Sequence, residues 1–248
     1  HVLAGAGGLL IGLLLTVFGG GGSVMATPWL IYVVGVADTH VAIGTAAAAV
    51  TVNAATGLAV QARAGTVKWP CASVFGIAGL AGALSGAHLA KAVDGQSLLQ
   101  WFAFAMIAIA ISMLLPRKSM GDPGVHLTPP MVLKLAPVGL AAGFAAGFFG
   151  IGGGFLIAPG LMASTGMTLA NAAASSLVSV TLFGSATSAS YAFSGQVDWN
   201  LFAALVVGGM TGALLGLPAS RWMVNHARAA RSGFAVMVFT VAIYILLK

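Results

Sequence analysis

The stretch that decides the fold is FGGGGSVMATP, residues 18–28, which returns 131 positions later as FGIGGGFLIAP, residues 149–159. Each copy lies inside a long apolar run. Clustered glycines favour backbone that leaves helical geometry, and a proline is tolerated within the first turn of the helix that follows. The sequence therefore predicts two broken helices, one in each half of the chain.

The composition predicts an all-α integral membrane protein. Of 248 residues, 59% are hydrophobic and 6% are charged, whereas roughly 25% of the residues in a soluble domain are charged. The basic residues are scattered over short loops, which argues against nucleic-acid binding. A single cysteine excludes an internal disulfide and a thiolate metal cluster, so we expect no cofactor and no metal. Because residue 1 is His, we expect a trimmed or processed start.

The spacing of apolar runs predicts two repeats within a single membrane domain. Residues 3–36 would form a helix of about 51 Å, whereas the hydrocarbon core is ~30 Å thick, so a break at the glycines fits two half-crossings better. Residues 1–115 form the N-terminal repeat, 116–132 the linker and 133–248 the C-terminal repeat. Each repeat contains a glycine-broken re-entrant or hairpin helix pair and then three transmembrane helices. The predicted full spans are 41–62, 70–93, 98–115, 170–193, 199–222 and 227–247.

The repeats align residue by residue. Gly35 matches Gly166 and Thr45 matches Ser176 at an offset of 131, and Gly65 matches Gly195 at 130. This alignment predicts that one residue is lost between Thr45 and Gly65.

Loop charges favour inverted repeats. If each broken segment returns to the side where it began, eight of the ten Lys and Arg residues share one side. Positive loops face the cytoplasm. We therefore expect the linker 116–132 in the cytoplasm and both termini outside.

A site for a small anion is expected where the two glycine breaks meet. Helix N-termini carry unpaired N–H groups and the positive end of the dipole, and paired breaks in the two halves of a transporter mark its midplane site. Ser23 has the position of an N-cap, and neighbouring spans offer neutral hydroxyl and amide donors. The predicted substrate-binding residues are Gly21, Gly22, Ser23, Thr45, Asn53, Gly152, Gly153, Gly154, Ser175 and Ser176.

Other polar residues carry weaker hypotheses. Asp38, Asp94, Asp122 and Asp198 are all expected in loops, so a buried acid for a coupling ion is missing from the spans, which favours uncoupled anion export. His88 is either a proton relay or an interfacial residue. Cys71 is expected to be a small core residue.

The two motifs together resemble the sulfite exporter TauE/SafE family. The glycine-rich break followed by Pro, the Gly-Thr and Ser-Ser-Leu segments and their duplication cover almost the whole chain. The resemblance implies export of sulfite, sulfoacetate or another organosulfonate across a bacterial inner membrane. Ala46 departs from the Ser that the family often has after Gly-Thr. A related thiosulfate-uptake group relies on several cysteines, and this chain has one.

Alternative functions are a transporter or channel for another small anion, such as a carboxylate, thiosulfate or an inorganic oxyanion, and a membrane scaffold. An intramembrane serine hydrolase at Ser23 or Ser85 is disfavoured because neither serine has a suitably placed histidine and acid. We expect a substrate anion and the bilayer as partners, and no catalytic residues. The sequence leaves the oligomeric state open.

Overall fold

The chain folds as an assembly of helices. The computed structural model describes residues 2–114, 121–122, 124–150, 154–225 and 227–247, which contain ten α-helices and no strand. A 3-10 helix (Gly19–Met25) and a π-helix (Trp29–Val34) flank the second of them. The α-helices are α1 (Val2–Phe18), α2 (Ala26–Pro28), α3 (Thr39–Arg63), α4 (Trp69–Ala90), α5 (Gly95–Leu114), α6 (Pro129–Phe149), α7 (Gly154–Thr165), α8 (Leu169–Phe193), α9 (Trp199–Asn225) and α10 (Ala227–Leu246).

Five helices in the described residues are long and apolar enough to cross a membrane: α3, α4, α6, α8 and, over Trp199–Gly216, α9. The predicted all-helical membrane architecture is confirmed. The five include α6, which was predicted as half of the second broken pair, and they do not include the spans predicted over 98–115 and 227–247. The start of α6 differs from the expected end of the linker at 132, because Pro129 and Pro130 begin the helix after an extended Thr128. Proline is favoured there, since the first N–H groups of a helix have no intrahelical acceptor.

The first glycine run does not end in a bare helix N-terminus. Gly19–Met25 forms a 3-10 helix that follows a non-helical Phe18 and packs back on α1, and Ser23 lies inside it, whereas Met25 has the cap position of α2. The expectation that Ser23 acts as an N-cap is therefore wrong. Glycine permits this tighter helix because it has no Cβ to crowd neighbouring turns.

The segment after the run folds back along α1. The indole Nε1 of Trp29 donates a hydrogen bond to the carbonyl of Leu3 at 2.9 Å, and a Cβ at Gly7 would overlap the same ring. Since Leu3 opens α1, the chain has returned to the end where it began.

The second glycine run lies in a similar hairpin. Gly150 caps α6 in the left-handed region, with φ 67°. After α7, the carbonyl of Gly166 accepts a hydrogen bond from the N–H of Asp122 at 2.9 Å, close to the start of α6. In each repeat, the helices on either side of the glycine run therefore form a hairpin.

Two matched helix contacts hold the repeats together. A Cβ at Gly12 of α1 would overlap the carbonyl of Gly209 in α9, and one at Gly143 of α6 would overlap that of Gly79 in α4. Gly5 lies against Ala204 and Leu13 against Gly216, so α1 and α9 are parallel. Helices come this close only where residues lack side chains.

Helices α3 and α8 cross between these pairs. Gly44 lies against Tyr191 and Gly57 against Leu177, so α3 and α8 are antiparallel. We call the group α1, α3 and α9 the first corner and the group α6, α8 and α4 the second corner; within each group every pair of helices is in contact. The helices of one corner are the repeat equivalents of those of the other.

The repeat alignment needs one correction. Gly35 and Gly166 both have positive φ, 85° and 72°, at the predicted offset of 131. However, the helices that follow begin at Thr39 and Leu169, which is an offset of 130. The loop before α8 is one residue shorter than the loop before α3, so Thr45 matches Ser175 and not Ser176.

Candidate functional site

The two glycine-run hairpins meet inside the molecule. The 3-10 helix Gly19–Met25 packs against α7, which begins at Gly154. Val24 is buried in a cluster against which Met25, Phe149 and Leu156 also pack. The residues that flank the two glycine runs therefore lie side by side, and we call this region the junction.

Small residues shape the first side of the junction. Gly22 is buried, and a Cβ there would overlap the backbone of Leu14 and Leu15. Ser23 and Thr27 are buried in the same segment. The hydroxyl of Thr27 has no hydrogen-bond partner in the structure. The Thr27 hydroxyl and the backbone groups of the glycine run are therefore candidate ligand contacts on this side.

On the second side, α7 presents its N-terminus. Gly154 is its first residue, and Gly152 and Gly153, two other predicted contacts, lie outside the described residues. A twelve-residue helix carries a positive partial charge at this end. Pro159 and Pro28 occur inside the helices that lead away from the two runs.

Two predicted contacts are used to join the repeats. Thr45 Oγ1 accepts a hydrogen bond from the backbone N–H of Asp198, and Ser175 Oγ accepts one from the N–H of Lys68, both at 2.9 Å. These loops precede α9 and α4, at opposite ends of the antiparallel α3–α8 pair. Each residue lies six positions into a 25-residue helix, so at 1.5 Å per residue the two hydroxyls are roughly 20 Å apart along the axis.

Thr45 and Ser175 are therefore not brought together at one ligand. We call these two hydrogen bonds the end clasps.

Asn53 lies in the first corner. Its Nδ2 is 3.4 Å from the carbonyl oxygen of Leu205, its Oδ1 is buried without a partner, and its side chain covers Gly209. Ser176 is buried in α8, where its hydroxyl donates to the carbonyl of Ala173 at 2.7 Å. Asn53 thus contacts the helix α9, whereas Ser176 bonds its own helix.

Sequence reasoning missed the helix pair that lines the junction. Phe102 and Met106 of α5 and Val238 of α10 are buried in the same cluster as Val24. The ring centroids of Phe102 and Phe149 are 5.7 Å apart. One sequence signal could have indicated this pair: α5 and α10 are each the last span of their repeat, so they occupy equivalent positions.

A comparison with protein families decides the identity. The model of the family described as "Sulfite exporter TauE/SafE" matches residues 4–245. The chain belongs to the sulfite exporter TauE/SafE family.

Curated relatives agree with this membership. A "Probable membrane transporter protein" of Xylella fastidiosa (strain 9a5c) is 42% identical over 247 residues, which is 99% of this chain and 94% of that protein. The "Probable membrane transporter protein YunE" of Bacillus subtilis (strain 168) is 29% identical over 237 residues, 87% of each chain. No solved structure matches. This TauE/SafE family member is a multi-pass membrane transporter.

The other polar residues considered in the sequence analysis of this TauE/SafE protein lie in the core, on the surface or at helix starts. Cys71 is buried, as expected for a small core residue, and His88 is exposed on α4. Asp38, Asp94 and Asp198 accept hydrogen bonds from N–H groups at the starts of α3, α5 and α9. In the described part of the chain no three His, Cys, Asp or Glu residues are grouped to hold a metal.

Proposed function

We propose that this TauE/SafE protein exports a small sulfur-containing anion, such as sulfite, sulfoacetate or another organosulfonate. The observation that carries the proposal is the junction. The segments that flank the two glycine runs come from different repeats and pack against one another in a chain of this family. Irregular backbone at membrane depth is tolerated where it is buried in protein or lines a cavity.

The anion binds at the junction through backbone amides. The N-terminus of α7 supplies the positive end of a dipole. On the opposite side, Gly21, Gly22 and Ser23 supply backbone N–H groups and Ser23 adds its hydroxyl, and Gly152, Gly153 and Gly154 match the family motif on the α7 side. The hydroxyls of Thr45 and Ser175 maintain the end clasps, so they act on transport through the position of helices.

The repeats are inverted in the membrane, and each hairpin is re-entrant. Antiparallel α3 and α8 support the inversion, and the contacts Trp29–Leu3 and Asp122–Gly166 support the return of each hairpin. Trp69 and Trp199 open α4 and α9 at opposite ends and are exposed, as expected for residues at the two interfaces. With eight of ten basic residues on the linker side, the linker is cytoplasmic and both termini are outside.

Export needs no coupling ion. All four acidic residues of the chain lie outside its helices, three of them as helix caps. An anion leaving a cell that is negative inside gains ~2.3 kcal/mol per charge per 100 mV. Electrogenic, uncoupled flux is therefore sufficient.

The test is anion flux in proteoliposomes. Sulfite and sulfoacetate are compared with acetate and phosphate, with an imposed potential and with or without sodium. We expect saturable sulfite or sulfonate flux that follows the potential and ignores sodium. Conductance that does not saturate would favour an anion channel, and exclusive flux of acetate or phosphate would contradict the substrate class.

A serine pair locates the site. Ser23→Ala alters a buried hydroxyl at the junction, whereas the control Ser164→Ala alters one that donates to the carbonyl of Gly160 at 2.8 Å within α7. We expect Ser23→Ala to lower sulfite flux about tenfold, since one donor to a charged group contributes on the order of 1.5–3 kcal/mol, and Ser164→Ala to leave it within about twofold. Equal effects would contradict a site at the junction.

A further inference from the structure

Helices α5 and α10 form a pair of their own beside the junction. They are repeat equivalents, and they pack on each other more extensively than on any other helix. Their shared buried residues are apolar: Phe102, Ala103, Met106, Ala110, Val238, Ala242 and Ile245.

The pair contacts the rest of the protein in two places. The start of α5 is anchored on the corner helices, since Leu98 is buried in a cluster with Ile43 of α3 and Tyr191 of α8.

The middle of the pair contacts the segments that flank the glycine runs. Val24 belongs to the buried cluster of the pair, and Met25, Phe149 and Leu156 pack against it. The rings of Tyr32 and Tyr244 meet edge to face with centroids 5.3 Å apart. These residues flank the two glycine runs, so the pair covers the place where the anion is proposed to bind.

The helices of the two corners meet in another way. Their contacts join glycines to backbone carbonyls, as in Gly12 on Gly209 and Gly143 on Gly79, and the end clasps add buried hydrogen bonds. These helices cannot move easily past each other, because a small displacement would make their backbone atoms overlap. Contacts made by Met and aromatic side chains can rearrange through rotamer changes, which is how packed helices shear.

We propose that the α5–α10 pair is the moving wall of the transport pathway, and that the two corners form a fixed frame. Displacement of the pair opens the junction and its return closes it. This proposal rests on the proposed transport function and adds the element that gates it.

Cross-linking tests the wall. In a Cys71→Ser background, Tyr32→Cys/Tyr244→Cys is joined by a short bifunctional methanethiosulfonate, which a reductant releases. Trp101→Cys/Phe148→Cys, whose native rings are 6.0 Å apart, repeats the test between α5 and α6 if the first pair fails to fold. The control Gly5→Cys/Ala204→Cys joins α1 to α9, where a Cβ at Gly5 would be 3.9 Å from the carbonyl of Ala204.

We expect links to the pair to lower flux at least ~tenfold, reversibly, and the frame link to change it by less than ~twofold. Undiminished flux with the pair linked, or equal loss in the control, would overturn the proposal. Unlinked proteins are assayed first with the whole anion panel, and the link is tested with the fastest anion. Absence of sulfur-anion flux before linking contradicts the proposed substrate, whereas undiminished flux of the tested anion after linking contradicts the moving wall.

Distances between spin labels give a readout that needs no substrate. Ile77 and Val207 are equivalent positions on α4 and α9, and Val236 is on α10; all three are exposed, by 70%, 66% and 58%. In liposomes we expect a narrow distance distribution for labels at 77 and 207 and a broader one for labels at 77 and 236. Equal widths would show that the pair belongs to the frame.

Discussion

The first and second corners share a backbone arrangement and differ in the side chain at its centre. Glycines of α1 lie on carbonyls of α9 as glycines of α6 lie on carbonyls of α4. Against Gly209 the first corner places Asn53, whereas against Gly79 the second places Phe183, its equivalent at an offset of 130. Both corners therefore keep the same close packing of backbones. The side chain packed against the central glycine differs, being Asn53 in one corner and Phe183 in the other.

The difference extends one turn further. In the first corner, Thr16 Oγ1 donates to the carbonyl of Ala213 at 3.2 Å. In the second, Gly147 lies directly on the carbonyl of Ala83. At Thr16 the first corner therefore has a polar contact between helices, whereas at the equivalent Gly147 the second corner has a contact without a side chain.

The largest expected effect comes from emptying the second corner. Phe183 is fully buried against Gly79. Phe183→Ala removes its ring contacts and leaves a cavity, which costs about 3–5 kcal/mol. The measurement is the free energy of unfolding in mixed micelles.

The matched change is Asn53→Ala. It removes a long hydrogen bond and also an acceptor without a partner, so we expect a loss of only about 1 kcal/mol. A loss as large as that of Phe183→Ala would show that the Asn53 amide has a partner in the membrane, such as a bound ligand.

Glycine substitutions should affect both corners equally. In Gly12→Ala and Gly143→Ala the new Cβ overlaps a carbonyl oxygen, so the helices must separate, at about 1–3 kcal/mol each. Gly57→Ala is the control, since its Cβ would lie 3.6 Å from Leu177 in ordinary contact. The thermal midpoint of each variant is compared in one detergent, and a large difference between the first two would contradict the matched packing.

The sequence predicts the helices well, because long apolar runs and glycine punctuation are local signals. The repeated glycine motif also points to the right region, because Met25 and Leu156, which flank the two runs, pack against one cluster. The geometry of the first run is less predictable. Whether four glycines unwind a helix or tighten it into a 3-10 helix depends on the packing of Gly22 against α1, which is a tertiary contact.

Candidate contacts are harder to predict than the fold. Thr45 and Ser175 are both hydroxyl residues that follow a glycine break in the sequence. Closeness along the chain does not show where along the α3–α8 pair each side chain lies. Whether Thr45 matches Ser175 or Ser176 depends on where the second repeat loses one residue. The helix starts at Thr39 and Leu169 show that position. The match of Gly35 with Gly166 aligns the two repeats only up to the loops that precede α3 and α8.

The smallest of these effects concerns the end clasps, one at each corner. Thr45→Val and Ser175→Ala each remove the acceptor of a backbone N–H, that of Asp198 or Lys68, and leave it unpaired. An unpaired buried donor costs roughly 1–3 kcal/mol, but these loops lie near helix ends, where water can substitute, so we expect about 1 kcal/mol for each. Hydrogen exchange at the starts of α9 and α4 is the direct measurement.

The two variants separate a binding role from a structural one. If the hydroxyls only close the clasps, Thr45→Val accelerates exchange at the start of α9, Ser175→Ala does so at the start of α4, and the apparent affinity for sulfite is unchanged. If a hydroxyl also contacts the anion, its removal raises the half-saturating sulfite concentration without a matching change in exchange. Because the two clasps lie at opposite ends of α3 and α8, one anion cannot contact both hydroxyls in this conformation, so a loss of affinity in both variants would contradict the geometry described for the corners.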